Sequence, residues 1–180
     1  MKLRFAVTGH RFSQLTKGAY TELEQCLANV FEAASTHVGP IQEPVVLSGL
    51  AEGADRLLAW HALHCGWELH AVLPFRPEDY ARDFGSTASK NEFTALLENA
   101  AVVHNLNGSR EQSNPTAYEA LGQNLVANCD VLIAVWDGQP ARGPGGTAEV
   151  VTLARQAGRP VVWISSAAPY AIQVLTSVEK

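Results

Sequence analysis

Four short segments of this chain gather residues suited to holding an anionic or nucleotide-like ligand. The first is Thr8-Gly9-His10-Arg11. A glycine there lets a backbone approach closely, and an arginine pairs with phosphate. The second is Ser48-Gly49-Leu50-Ala51-Glu52-Gly53-Ala54-Asp55, a run of small residues leading into a helical pattern. The first N–H groups of a helix have no partner within it, so such a junction suits an anion. Asp55 falls in the first helical turn, where its charge also suits the helix dipole. The third is Pro74-Phe75-Arg76, with Tyr80 close behind. An aromatic ring there can stack on a base and Arg76 can pair with phosphate. The fourth is the richest: Trp136-Asp137-Gly138, then Arg142 and Gly145-Gly146-Thr147-Ala148-Glu149. Glycines before a helix start expose a row of N–H donors, and Thr147 adds a hydroxyl, which is the chemistry of a phosphate or ribose site.

Each segment follows a short apolar run of strand type, and helical patterns separate the runs. The strands are expected at Leu3 to Val7, Val45 to Leu47, Leu69 to Leu73, Ala101 to Leu106, Val131 to Trp136 and Val161 to Ile164. Helices are expected at about Lys17 to Ser35, Ala54 to Cys65, Lys90 to Asn99, Asn114 to Asn128 and Gly146 to Ala157, with a short one at Pro77 to Asp83. Strands alternating with helices make βαβ units, hence an α/β fold in three layers. The expected sheet is mostly parallel, of about six strands, with helices on both faces; the tail after Ser165 is unassigned. In such sheets ligands bind beyond the carboxyl ends of the strands, where all four segments fall. One domain spanning 1–180 is the economical reading.

Composition narrows the field. Apolar residues make up 47% and charged ones only 17%, as burial of a sheet on both faces requires. The net charge of −5 gives no surplus of cations for displacing counterions, so nucleic acid is not expected as a partner, and neither is an anionic membrane. No apolar run approaches the ~18 residues of a membrane span. Cys26, Cys65 and Cys129 are odd in number and far apart, and read as reduced thiols of a cytoplasmic protein. His61 and His64 lack the glutamate of a zinc helix, so neither a metal nor a resident cofactor is expected. Neither the G-x-G-x-x-G fingerprint nor the phosphate-loop lysine motif is present.

Taken together, Val7 to Arg11, Leu47 to Asp55, Val72 to Phe75, Asp130 to Gly138 and Gly145 to Glu149 resemble the SLOG superfamily, which joins DNA-processing proteins of the SMF/DprA type to the LOG phosphoribohydrolases. The resemblance implies a Rossmann-like sheet and a nucleotide-derived small-molecule ligand, of ADP-ribose or nucleoside monophosphate type. It implies that phosphate and ribose meet Ser48, Gly49, Gly53, Gly145, Gly146 and Thr147, and it suggests a homo-oligomer. Members include sensor domains of bacterial defence. The hydrolases carry Pro-Gly-Gly-x-Gly-Thr-x-x-Glu. Here Pro144-Gly145-Gly146-Thr147 is two residues tighter and Val150 stands where the catalytic glutamate would be. Glu149 is one residue early, ~100° around a helix. Binding or sensing is therefore the leading reading, and N-glycosidic hydrolysis with Glu149 as acid–base group the alternative.

Overall fold

A computed structural model describes residues 2–11, 19–37, 43–110, 114–141, 143, 145–167 and 170–175. Its strands are β1 (Arg4–Gly9), β2 (Val45–Ser48), β3 (Glu68–Leu73), β4 (Val102–Asn105), β5 (Val131–Trp136), β6 (Val161–Ser165) and β7 (Ile172–Leu175). Its α-helices are α1 (Ala19–His37), α2 (Ala54–His64), α3 (Pro77–Tyr80), α4 (Thr87–Asn99), α5 (Asn114–Asn128) and α6 (Thr147–Gln156). A 3₁₀ turn, Ala81–Asp83, follows α3. Helix boundaries have local causes. The Ser86 hydroxyl caps α4 by accepting from the Ser89 N–H at 3.1 Å. Pro77 opens α3, where a missing N–H costs nothing.

The strands form one sheet in the order β4-β3-β2-β1-β5-β6-β7. All neighbours run parallel except β7, which pairs antiparallel with β6, Trp163 opposite Gln173. Side chains alternate across the sheet. Phe5, Val7, Val46, Leu69, Ala71, Ile133 and Val135 face a core closed by Leu23, Leu27 and Phe31 of α1, Leu58 and Ala62 of α2 and Phe93 of α4. Ala6, Leu47, Val72, Leu132 and Ala134 face the other core, closed by Leu121 and Leu125 of α5 and Val150, Val151 and Ala154 of α6. This is the expected three-layer α/β fold. It differs from expectation by one strand, since the unassigned tail supplies β7. That strand is exposed, Val174 at 64%, and Gln173 interrupts its short run, unlike the continuous apolar runs that mark the buried parallel strands.

Strand order reverses between β1 and β5: β2, β3 and β4 continue to one side, β6 and β7 to the other. Ligands of open α/β sheets occupy the crevice at such a switch point.

Candidate ligand-binding site

The crevice is framed by contacts that fix β1's exit. The His10 N–H donates to Val135 O of β5 at 2.9 Å, and His10 O accepts from Ala54 N at the start of α2 at 3.1 Å. Gly53, the residue before α2, makes this approach possible. A Cβ there would lie 2.3 Å from His10 O, and its φ of +103° is one that side chains rarely adopt. One of the orphan amides of α2 is thus satisfied by the protein itself.

At the switch point opens a cleft of about 340 Å³, within the range that holds small ligands. Ten of the residues singled out in the sequence line it: Thr8, Gly9, His10 and Arg11 from β1's exit, Asp55 from α2, Trp136 and Asp137 from β5's exit, and Gly145, Gly146 and Thr147 at the start of α6. Seven lie elsewhere. Ser48 is wholly buried, its hydroxyl accepting from Leu50 N at 3.1 Å and donating to Asp55 O at 3.2 Å. Gly49 and Gly53 shape the same loop from beneath. Pro74 and Phe75 are buried, Arg76 is exposed off the cleft, and Gly138 packs beside the Trp163 ring. Arg142 falls outside the described residues. Phe75 is fully covered and its ring meets Tyr118 edge-on at 5.6 Å, so the base-stacking role considered for it has no open face.

Gly146 is the N-cap of α6, and Thr147 and Ala148, its first two residues, line the cleft. The amides of a first helical turn have no partner within the helix, and the dipole's positive end adds to them. Glu149 does not line this cleft. It is exposed, borders a second, more open hollow of about 540 Å³ lined by α5 and α6, and its carboxylate accepts from Gly145 N at 2.7 Å. The residue that the hydrolase reading would make catalytic therefore ties down the loop.

Part of the cleft lining is aromatic and rests on an acidic residue. Tyr80 and Tyr118 form it, and Tyr118 had no signal in the sequence. The Tyr118 hydroxyl donates to Asp83 Oδ2, and Arg110 Nη2 donates to Asp83 Oδ1 at 2.6 Å. Burial, then the Asp83 hydrogen bond, pushes the Tyr118 phenol up to about 12. Asp79, one turn before Asp83 in the chain, is exposed and lies 3.7 Å from Arg82. Asp55 is 7% exposed, and burial raises its carboxyl to about 7, against the pull of the Ala51 N–H, Arg11 and Arg56. Beneath it, wholly buried Arg56 donates to Leu50 O at 3.0 Å and to Ser89 O and Glu92 Oε2 at 2.9 Å each. Its guanidinium lies 4.3 Å over the Phe84 ring. Glu52 accepts from the Ser89 hydroxyl, so the loop after β2 is braced against α4.

His10 sits between two partners at the cleft floor. Its Nδ1 is 3.3 Å from Ser166 Oγ and its Nε2 is 3.5 Å from Asp137 Oδ1. Ser166 is buried and does not line the cleft, so this Ser–His–Asp set orients an imidazole and offers no accessible nucleophile.

Sheet order, switch-point cleft and glycine-led helix start define a Rossmann-like α/β domain. Solved structures of similar fold include DNA processing protein A from Streptococcus pneumoniae, at TM-score 0.64 and 22% identity over 92% of this chain and 51% of that one. DNA processing protein A from Helicobacter pylori, described for its single-stranded DNA binding mode, matches at 0.62 and 16% identity over 94% of this chain and 68% of that one. The molybdenum cofactor carrier protein from Chlamydomonas reinhardtii matches at 0.52 and 18% identity over 91% and 76%. The chain spans about half the length of the Streptococcus protein. No protein-family model matches it, and no curated protein does. One expectation is corrected. A net charge of −5 argues against a nucleic-acid partner, yet a similar fold is described with single-stranded DNA binding in the Helicobacter protein. Net charge averages over a surface, while binding responds to the local field of a cleft.

Proposed function

We propose that the switch-point cleft binds a nucleotide unit, either as a free nucleotide derivative or as part of a nucleic-acid strand. The observation that carries this reading is the convergence of the α6 start with β1's exit around one cleft. The ligand's phosphate meets the Thr147 and Ala148 amides and the positive end of α6. The sugar and base lie toward Tyr80 and Tyr118. The ADP-ribose type of ligand is one form of this proposal, and the free thiols Cys26, Cys65 and Cys129 fit a cytoplasmic setting. Binding is favoured over hydrolysis because Glu149 is engaged with Gly145 outside the cleft.

Thermal unfolding with AMP, ADP, ATP, ADP-ribose, NAD, ribose 5-phosphate and a short single-stranded oligonucleotide tests it. A ligand at a hundred times its Kd adds ~2.7 kcal/mol, a rise of roughly 5–10 °C at this size. The Thr147→Glu variant supplies the control. Glutamate suits a first helical turn, so the fold persists, but its carboxylate takes the phosphate's place. The shift is expected in the parent and absent in the variant. An equal shift in both would move the phosphate site away from α6.

A further inference from the structure

The cleft is electrostatically two-ended, and this polarity bears on which sugar it accepts. Its α6 end offers backbone N–H groups from Thr147 and Ala148. Its α2 end holds Asp55, a carboxyl that lines the cleft although 7% exposed. Asp137, the other acidic residue lining the cleft among those described, faces His10. An ionised carboxylate only accepts hydrogen bonds, so it repels a phosphate and attracts hydroxyl donors. A ligand that places its phosphate on α6 therefore turns its neutral donors toward Asp55.

The surroundings of Asp55 limit what else it can do. Arg56, on the same helix, directs its Nε to Leu50 and its Nη1 to Ser89 and Glu92, while its buried Nη2 has no hydrogen-bond partner among the described residues. Tyr80 of α3, fully buried, bears on Asp55, and the burial that dominates its surroundings keeps its phenol protonated. Arg11, at β1's exit, is shared among Asp55, Tyr80 and Tyr118. Gly49 lies against the Asp55 carboxylate, where an added Cβ would be 3.2 Å from Oδ2. Buried, desolvated carboxylates are costly, and one that walls a cleft gains from a ligand donor there.

We propose that Asp55 is the sugar-reading residue of this cleft: its carboxylate accepts from the ribose hydroxyls, so the site selects ribonucleotides over 2′-deoxyribonucleotides. This rests on the nucleotide-binding reading above and narrows it to ligands with an intact ribose diol. Because the carboxyl gains its proton near neutrality, the preference is strongest at alkaline pH and fades on acidification. The other charged groups that bear on it are Arg11 and Arg56.

The test is calorimetric titration of the full chain with paired ribo- and 2′-deoxyribonucleoside monophosphates of all four bases, at pH 8 and pH 5.5, with the parent and with Asp55→Asn. A hydrogen bond to a charged group accounts for roughly tenfold or more in affinity. The ribonucleotide is expected to bind about ten times tighter at pH 8, and less than about threefold tighter at pH 5.5. Asp55→Asn, close in shape and neutral, should lose the preference at pH 8 while still binding. Equal affinity for both sugars, or a preference for the deoxy form, would overturn the inference and leave nucleotide binding standing, in favour of a DNA strand. A preference retained in Asp55→Asn would assign it to another residue. Binding of no monophosphate would sink the reading beneath it as well.

Discussion

At the residue scale, Asp55 makes stability depend on pH in a defined direction. Its carboxyl sits at about 7 in the folded chain against an ordinary value of 3.8, chiefly through burial. The folded state therefore holds this proton more tightly than the unfolded chain. The group's stabilising contribution is whole below about pH 4 and is lost as pH rises through about 7. Asp55→Asn should raise stability at pH 8 by about 2 kcal/mol, roughly 5 °C, and by half that or less at pH 5. Denaturant titrations at the two pH values decide it, and a gain independent of pH would mean that Asp55 titrates as an ordinary carboxylate. A residue that costs stability at the pH where it functions fits a binding role. Arg56 is the opposite case. Its Glu92 ion pair, carbonyl bonds and Phe84 contact are internal. Glu92 is 32% exposed, so the cost lies chiefly in the carbonyls of Leu50 and Ser89 that lose their donor, ~1–3 kcal/mol in all, and Arg56→Met should lower the melting point by roughly 3–8 °C. A change within about 2 °C would contradict the bracing role given to it.

At the element scale, the start of α2 locks β1's exit in place through Gly53. Gly53→Ala forces a Cβ against His10 O and Arg11 at a strained φ. It should cost ~2 kcal/mol or more and weaken nucleotide binding by displacing β1's exit; urea midpoints together with ligand titration would check both. The same elements explain what could be read in advance. Buried parallel strands such as Val131–Trp136 are unbroken apolar runs, and the small-residue runs into α2 and α6 mark helix starts at a sheet edge. So ten cleft residues were legible in the linear sequence. Phe75 was not, because an aromatic after a strand carries the same pattern whether it faces a ligand or the core. Tyr118 was not, because it reaches the cleft by packing under Gly145, where a Cβ would lie 2.6 Å from its own; that contact belongs to tertiary structure. β7 escaped because Gln173 interrupts its short run Ile172–Leu175, whereas β4, the equally exposed strand at the other edge, begins with the apolar pair Val102-Val103.

At the scale of the whole molecule, an acidic chain carries its candidate site where two halves of a sheet diverge. Among the described residues, no helix is long and apolar enough to cross a membrane. If the cleft takes one nucleotide, affinity for a monophosphate should fall less than about tenfold between about 50 and 200 mM salt, since few phosphates are neutralised. A strand tracking many cations would lose far more, and a steep slope with an oligonucleotide would place this chain's ligand with that of the Helicobacter protein. The central claim, that a nucleotide sits at the switch point, is tested most directly by following the backbone amides of the labelled protein by NMR as AMP is added. The account predicts that shifts concentrate at Gly9, His10, Gly145, Gly146, Thr147 and Ala148, with smaller ones at Asp55 and Tyr118. Saturable binding with those amides unmoved, and the shifts gathered instead along β4 or β7, would contradict it.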